Sequence, residues 1–261
     1  MNTSTRTRFS FWFRLPPLLA GLLALSVAAP AQWTTSQLSQ ARWRIGAGSW
    51  NNKIYFAGGS TAGLFTPTTV IDVYNTTTNA WSTLQLSEAR SNVGVVGVDG
   101  KVLFAGGFRV SNISDVVDIY NVGTSTWTTA QLSVARSGVA AASAGGKAVF
   151  AGGSVPGVIG SDVVDIYDAA TNTWSTAQLS QARYSMVAAS AGGKVFIGGG
   201  STVSPEAISN LVDIYDAATN TWSTSQLSEA RTGLAATSAG GKVFFAGGVN
   251  GPFSYSSRVD I

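Results

Sequence analysis

One segment recurs along this chain at a nearly constant spacing. Each complete copy has a tyrosine, a tryptophan seven positions later, the motif Gln-Leu-Ser-x-Ala-Arg, a stretch of small residues and an apolar run that ends in Gly-Gly. Successive tryptophans are separated by 48, 46, 47 and 48 residues. A period of this length is typical of proteins built from stacked supersecondary units. These tryptophans are Trp33, which opens a partial first copy, then Trp81, Trp127, Trp174 and Trp222.

A single copy has the pattern of four β-strands. Residues 137–144 are small, Gly145-Gly146 suits a two-residue hairpin turn, and 147–151 is an apolar strand. After a variable loop, 162–167 and 173–178 are rich in β-branched and aromatic residues, with turn residues between them. The copy therefore predicts a four-stranded meander. We expect its tyrosine and tryptophan to pack between adjacent sheets.

The apolar run ending in Gly-Gly, followed by tyrosine and later by tryptophan, resembles the kelch repeat. The resemblance covers Trp33 to Ile261 and implies an all-β fold, a β-propeller of four-stranded blades. The copies supply strands for five blades, if residues 33–38 form the outermost strand of the last blade and close the ring. Kelch propellers more often have six or seven blades, and the sequence stops one residue before the next expected tyrosine. The alternative is a fragment of a longer protein.

The first 31 residues have the pattern of a secretory signal peptide. Arg6, Arg8 and Arg14 precede an apolar stretch, residues 15–29, which leads into Ala29-Pro30-Ala31. A membrane-spanning helix needs about 20 apolar residues, and the prolines and small residues here fit one poorly. We therefore expect a propeller over 32–261 that is secreted, periplasmic or at the cell surface, with no membrane insertion after cleavage.

Composition excludes several classes of function. Beyond the leader, 13 basic residues balance 13 acidic ones without a basic cluster, so nucleic acid is not an expected partner. The chain has no Cys and no His. Catalysis by Ser-His-Asp or Cys-His systems is thereby excluded, as are zinc and copper sites of nitrogen and sulfur ligands. We expect no cofactor and no metal site.

The candidate ligand-binding residues fall at one end of the blades. Up-and-down strand order puts the loops from strand two to three and from four to one on the same face, and variation between copies is concentrated on this face, in the loops from strand two to three. Each copy also places an arginine there, which predicts an arginine ring suited to anionic ligands; arginines at this position line the ligand pocket in some kelch proteins. The alternative is a structural latch between each arginine and the aspartate two residues before the tyrosine position. The candidates are Arg42, Trp43, Arg44, Arg90, Arg136, Arg183, Arg231, Phe65, Phe108, Arg109, Glu206, Phe253 and Tyr255.

Two classes of function remain. The first is a non-catalytic binding scaffold for a protein, a peptide or a glycan, with anionic ligands favoured by the arginines. The second follows from the resemblance, because some exported kelch-like propellers are sugar-acid mutarotases; Glu206 and an arginine would then supply the acid–base group and the carboxylate clamp. Fungal galactose oxidases carry a similar propeller, but their copper site needs His and a Cys–Tyr crosslink, which this chain lacks.

Overall fold

The computed structural model describes residues 33–62, 66–203 and 206–261, without the side chains of Val203 and Glu206. The predicted signal peptide, 1–31, and the candidate Phe65 lie outside the described residues. The chain divides into two units, Met1–Ser36 and Gln37–Ile261, and the second contains every strand. The described residues include no helix, and hence none long and apolar enough to cross a membrane.

The second unit is a five-blade β-propeller of antiparallel sheets, which confirms the predicted fold class. Blade 1 contains β1 (Gly46–Trp50), β2 (Lys53–Ala57), β3 (Val70–Asn75) and β4 (Ala80–Gln85). Blade 2 contains β5 (Gly94–Val98), β6 (Lys101–Ala105), β7 (Val116–Asn121) and β8 (Thr126–Gln131). Blade 3 contains β9 (Ala140–Ala144), β10 (Lys147–Ala151), β11 (Ser161–Asp168) and β12 (Thr173–Arg183).

The last two blades each carry an additional hairpin in the loop between their second and third strands. Blade 4 contains β13 (Val187–Ala191), β14 (Lys194–Gly198), the hairpin β15 (Ser201–Val203) and β16 (Glu206–Ile208), then β17 (Leu211–Asp216) and β18 (Thr221–Gln226). Blade 5 contains β19 (Ala235–Ala239), β20 (Lys242–Ala246), the hairpin β21 (Val249–Gly251) and β22 (Ser254–Tyr255), then β23 (Val259–Asp260).

The repeated tyrosine and tryptophan are cross-strand partners at the outer edge of each complete blade. Tyr120 lies opposite Trp127 with ring centroids 4.8 Å apart, and Tyr167 lies opposite Trp174 at 5.1 Å. The rings of one blade pack against the apolar face of the blade before it; Tyr167 belongs to a buried cluster with Leu103 of blade 2. The predicted packing of these aromatic residues between adjacent sheets is confirmed for blades 2, 3 and 4, whereas Trp81 of blade 1 is partly exposed.

Small residues in the innermost strands allow neighbouring blades to approach closely. These strands pack in the order β1, β5, β9, β13 and β19. A Cβ atom on Gly97 of β5 would lie 2.3 Å from the carbonyl oxygen of Ser49 in β1, well inside van der Waals contact. The backbone of one blade therefore occupies the space that a side chain would need in the next.

One expectation about strand positions was wrong. Residues 33–38 form no strand, and the sheet of blade 5 has three strands among the described residues. In the fourth repeat the left-handed glycine pair is Gly199-Gly200, because Gly198 ends β14 and occupies the position that alanine has in the other blades. Pairing of residues 33–38 depends on contacts distant in sequence, which a local pattern does not contain.

Candidate functional site

The variable loops and the links between blades form a single surface, which we call the loop face. Among the described residues it comprises the links that precede the innermost strands (39–45, 86–93, 132–139, 184–186 and 227–234) and the loops after the second strands (58–62, 66–69, 106–115, 152–160, 199–203, 206–210 and 247–258). Backbone hydrogen bonds join a link to a loop in every blade. Isolated bridges pair Trp43 with Ser60, Ser91 with Phe108, Ser137 with Ser154, Tyr184 with Ser201 and Thr232 with Val249.

Each repeated arginine lies in a link, or in the case of Arg183 at the end of β12, and extends into the blade that follows it. The Nη1 atom of Arg136 donates to the carbonyl oxygens of Gly152 (2.9 Å) and Val163 (2.5 Å), and Nη2 donates to that of Phe150 (3.2 Å). Nη2 also forms an ion pair with Asp165 of β11. The guanidinium therefore satisfies backbone carbonyls where the second and third strands diverge, and its charge is balanced by a buried carboxylate.

The backbone of the same arginine contacts the preceding blade. The carbonyl oxygen of Arg136 accepts a hydrogen bond from the N–H of Gly107 at 2.9 Å. A Cβ atom on Gly106 would lie 2.1 Å from this oxygen, and Gly106 has a φ of +63°. Glycine is thus required there both for the close approach and for the left-handed backbone. Arginine, Gly-Gly and aspartate recur together because they form one connection between neighbouring blades.

The predicted arginine ring is therefore not what these five residues form. Their side chains have a relative exposure of 0%, and each is paired with the aspartate of the latch alternative. Burial lowers the pKa of Arg90, Arg136 and Arg183, and the charges of their aspartates oppose that shift. The side chains lie inside the blades and present no surface to a ligand. The pairs are Arg42–Asp72, Arg90–Asp118, Arg136–Asp165, Arg183–Asp213 and Arg231–Asp260.

Trp43 and Arg44 occupy the loop face beside the first latch. Trp43 exchanges two backbone hydrogen bonds with Ser60 and keeps 43% of its surface exposed. The guanidinium carbon of Arg44 lies 4.5 Å from the centroid of the Trp43 ring, a cation–π arrangement. Arg44 is exposed and has a left-handed φ of 54°. The two residues present an aromatic ring and a cation at one place.

The candidates Phe108 and Arg109 belong to an ordered loop of blade 2. Phe108 is half-buried and bridges Ser91 on one side and Ile113 on the other. Arg109 forms an ion pair with Glu88 at 2.8 Å, and Glu88 also accepts a hydrogen bond from the Ser114 hydroxyl. The ion pair of Arg109 therefore stabilises its own loop, and the guanidinium is only partly available to a ligand.

The hairpin of blade 5 presents the most exposed aromatic side chains among the candidates. Phe253 is 98% exposed and Tyr255 is 78% exposed. The base of the hairpin is held by Glu229, which accepts hydrogen bonds from Ser256 and Asn250, both at 2.6 Å. These two hydrogen bonds lower the pKa of Glu229. The two rings thus project from an anchored hairpin.

Sequence reasoning missed the glutamates that hold these loops and a hydrogen-bonded series of link residues. Glu88 and Glu229 stand at the variable position of Gln-Leu-Ser-x-Ala-Arg, so variation within a constant motif was an available signal.

The hydrogen-bonded series centres on Asn92. Asn92 donates its N–H to the Arg44 carbonyl at 2.9 Å, and the Asn92 carbonyl accepts a hydrogen bond from the N–H of Gly138 at 3.1 Å. Arg44, Asn92 and Gly138 all have left-handed φ angles, which a sequence pattern of Arg, Asn and Gly does not reveal.

The last candidate, Glu206, begins β16 and pairs through its backbone with Val203. Across the described part of the chain, no group of three or more acidic side chains is arranged to hold a metal ion. The chemistry available on the described loop face therefore includes aromatic stacking, apolar contact and charge pairing through exposed arginines such as Arg44 and Arg258.

The comparisons with known proteins agree with this architecture. A family model described as Kelch motif matches residues 89–131, from the Arg90 latch to the end of β8. Among the matching solved structures is one titled "Structure of YjhT", with a TM-score of 0.69, 15% sequence identity, and coverage of 89% of this chain and 85% of that one. Similarity at this identity shows the fold alone. No curated protein gave a significant match. The chain carries a kelch motif at residues 89–131 within a five-blade β-propeller.

Proposed function

We propose that this protein is an exported, non-catalytic binding scaffold whose ligand surface is the loop face. The supporting observation is the contrast between the two ends of the blades. At the opposite face, the turn after each complete third strand repeats one geometry, in which an Asn or Asp side chain accepts two backbone N–H groups. The accepting residues are Asn75, Asn121, Asp168 and Asp216.

The loop face, by contrast, differs from blade to blade. It carries a hairpin at Val249–Tyr255, another at Ser201–Ile208, and a cation over an aromatic ring at Trp43 and Arg44. Loops held on a rigid framework are where binding residues most often lie. The latches supply that framework, because the repeated arginines form ion pairs inside the blades. The loop residues are therefore not needed to hold the blades together and can vary.

The exposed residues favour particular partner classes. Aromatic and arginine side chains dominate the energetics of protein interfaces, and Arg44 suits carboxylates and other anions. Phe253 and Tyr255 present open rings that can pack on a peptide or on the apolar face of a sugar. The proposed partner is a protein, a peptide or a glycan, with an anionic group placed near Arg44.

The sugar-acting alternative stays a prediction. It required an arginine clamp, and the five repeated arginines have no exposed side-chain surface for one. Arg109 is partly engaged by Glu88. No observation on the described loop face favours this alternative over binding.

The test is a binding screen with variants matched by face. The chain is applied to immobilised neutral, sialylated and uronate-containing glycans and to purified exported proteins. Trp43→Ala/Arg44→Ala and Phe253→Ala/Tyr255→Ala are compared with Lys242→Ala, an exposed cation at the opposite face. We expect at least one loop-face double variant to lose about tenfold or more in affinity (about 1.4 kcal/mol), with an unchanged melting temperature. Equal losses in Lys242→Ala, or no retained ligand, would contradict the proposal.

A further inference from the structure

The outermost strands form the rim of the propeller, which carries a groove at each of three successive blade junctions; we call these the rim grooves. The groove between blades 1 and 2 consists of two cavities of about 260 and 380 Å³ that share Ser87 and Thr129. The grooves between blades 2 and 3 and between blades 3 and 4 measure about 490 and 320 Å³. At all three junctions both blades are complete four-stranded sheets.

The three rim grooves are built from the same two positions of the repeat. One wall contributes the serine of Gln-Leu-Ser in one blade, and the other contributes the threonine two residues after the tryptophan in the next blade. These pairs are Ser87 with Thr129, Ser133 with Thr176, and Ser180 with Thr224. Trp127 lines the first groove and Trp222 the third. Each threonine lies on the same face of its strand as the tryptophan, because side chains two residues apart in a strand point to one side.

The latch aspartate fixes the two walls of each groove relative to each other. Asp165 accepts the N–H of Ser133 at 2.9 Å, and Thr176 lies directly opposite Asp165 in the pairing of β11 with β12. The same arrangement recurs around Asp118 and Asp213. A ligand therefore meets a groove whose walls are already held in place, so that binding costs little ordering of the protein.

Several polar side chains in the grooves have no part in the hydrogen bonding of the fold. The threonine hydroxyls and two glutamine amides are exposed, and they form no hydrogen bond with any of the described residues. A strand requires a β-branched residue at the threonine position but not a hydroxyl. These groups are therefore available to a ligand. They belong to Thr129, Thr176, Thr224, Gln131 and Gln178.

The lining of the rim grooves is uncharged where a ligand can reach it. Among the described residues, the charged side chains that line the three grooves are the latch aspartates Asp118 and Asp213, which are buried and paired with arginines. A charged ligand would find no accessible counter-charge, and an apolar one would cover the hydroxyls and amides without replacing their hydrogen bonds to water. A neutral sugar residue fits both conditions. Its hydroxyls pair with these groups, and its C–H face packs on the half-buried rings of Trp127 and Trp222.

We propose that the rim grooves bind neutral sugar residues of a repetitive polysaccharide, at sites separate from the ligand surface of the loop face. Three equivalent grooves in succession allow one polysaccharide chain, or several chains on one surface, to engage more than one groove at a time. Linked binding of this kind raises the overall affinity well above that of a single groove.

The experiment measures the apparent Kd of the chain for immobilised glucomannan, galactomannan, xyloglucan and arabinoxylan by surface plasmon resonance. The test variant removes one hydroxyl from each groove and keeps the β-branched shape: Thr129→Val/Thr176→Val/Thr224→Val. The control makes the same change at the first residue of the same three strands, next to the tryptophan and on the other side of the strand: Thr126→Val/Thr173→Val/Thr221→Val.

We expect at least one of the four polysaccharides to be retained, and the test variant to raise its apparent Kd about tenfold or more. Each single substitution should have a much smaller effect, because the other two grooves still bind. The control variant should bind like the unmodified chain, and Thr129→Ser/Thr176→Ser/Thr224→Ser, which keeps the hydroxyls, should retain binding. Melting temperatures of all the variants check that the fold is intact.

Three outcomes would overturn the proposal. They are retention of none of the four polysaccharides, an unchanged apparent Kd in the test variant, and an equal loss in the control variant. Trp43→Ala/Arg44→Ala separates this proposal from binding at the loop face. It should leave polysaccharide binding unchanged, and a loss there would place the sugar on the loop face instead of the rim.

Discussion

The latch arginine of blade 3 gives the sharpest test of how the fold is stabilised. The Arg136 side chain has 0% exposure, Asp165 has 3%, and the guanidinium also donates to the carbonyls of Gly152, Phe150 and Val163. Arg136→Met would leave a buried carboxylate without its counter-charge and would remove one donor from each of three carbonyls; Asp165 and Val163 would keep the Ser133 and Gly152 N–H groups. Removing one partner of a buried ion pair costs about 3–5 kcal/mol. At about 2–4 °C per kcal/mol for a chain of this size, the melting temperature should fall by roughly 6–20 °C.

Urea unfolding followed by tryptophan fluorescence measures this loss. The control is Arg258→Met, whose guanidinium is 63% exposed and lies 3.6 Å from Glu229; a change within about 0.5 kcal/mol is expected there. Arg136→Met/Asp165→Leu should recover part of the loss, because the stranded charge is removed. A cost below about 1 kcal/mol for Arg136→Met would refute the latch.

Three further predictions concern the core, the glycine pair and pH. The Tyr55 hydroxyl is buried without a hydrogen-bond partner among the described residues, and burial raises its pKa to about 12. Tyr55→Phe removes this unpaired group and should therefore raise the free energy of unfolding by about 1 kcal/mol. A lower free energy of unfolding in the variant would show that the hydroxyl has a partner. Gly106 and Gly100 both have positive φ, but of the two only a Cβ at Gly106 would meet backbone atoms. Gly106→Ala should therefore lower the free energy of unfolding by clearly more than the roughly 1–2 kcal/mol expected for Gly100→Ala. Equal losses in urea unfolding would contradict this. Hydrogen bonds from Lys147 and from the Thr171 and Ala170 amides lower the pKa of Asp168 to about 2, so its stabilising contribution is present above the ordinary value of 3.8 and is lost as pH falls toward 2. An NMR titration should show this midpoint rising in Lys147→Met and staying low in Lys101→Met.

The sequence predicted the local architecture well because each blade is encoded by short-range pairings. Tyr120 and Trp127 are seven residues apart and lie directly opposite each other across one turn, so their spacing implies the register. The two-residue turns at Asp99-Gly100 and Gly145-Gly146 also have the positive φ angles that their residue types suggest. Such features follow from the residues within a single repeat.

The candidate site was less predictable because it depends on the direction of side chains. Arg136 and Asp165 recur at fixed positions whether the guanidinium points into the blade or toward the axis. The guanidinium points into the blade because it donates hydrogen bonds to the carbonyls of Gly152 and Val163. These carbonyls come together only in the folded blade, where β10 and β11 separate at the loop face. The role of Glu88 likewise depends on a loop more than twenty residues away.

If the proposed function is right, ligands bind at the loop face while the repeated arginines stabilise the blades. The most direct measurement is hydroxyl-radical footprinting, with the best-retained ligand from the screen at saturation and tryptophan oxidation read by mass spectrometry. Trp43 on the loop face and Trp81 on the outer strand of blade 1 are exposed to similar extents, 43% and 37%. Bound ligand should slow the oxidation of Trp43 several-fold and leave that of Trp81 unchanged. Protection of Trp81, with Trp43 oxidised as fast as in the ligand-free chain, would contradict binding at the loop face.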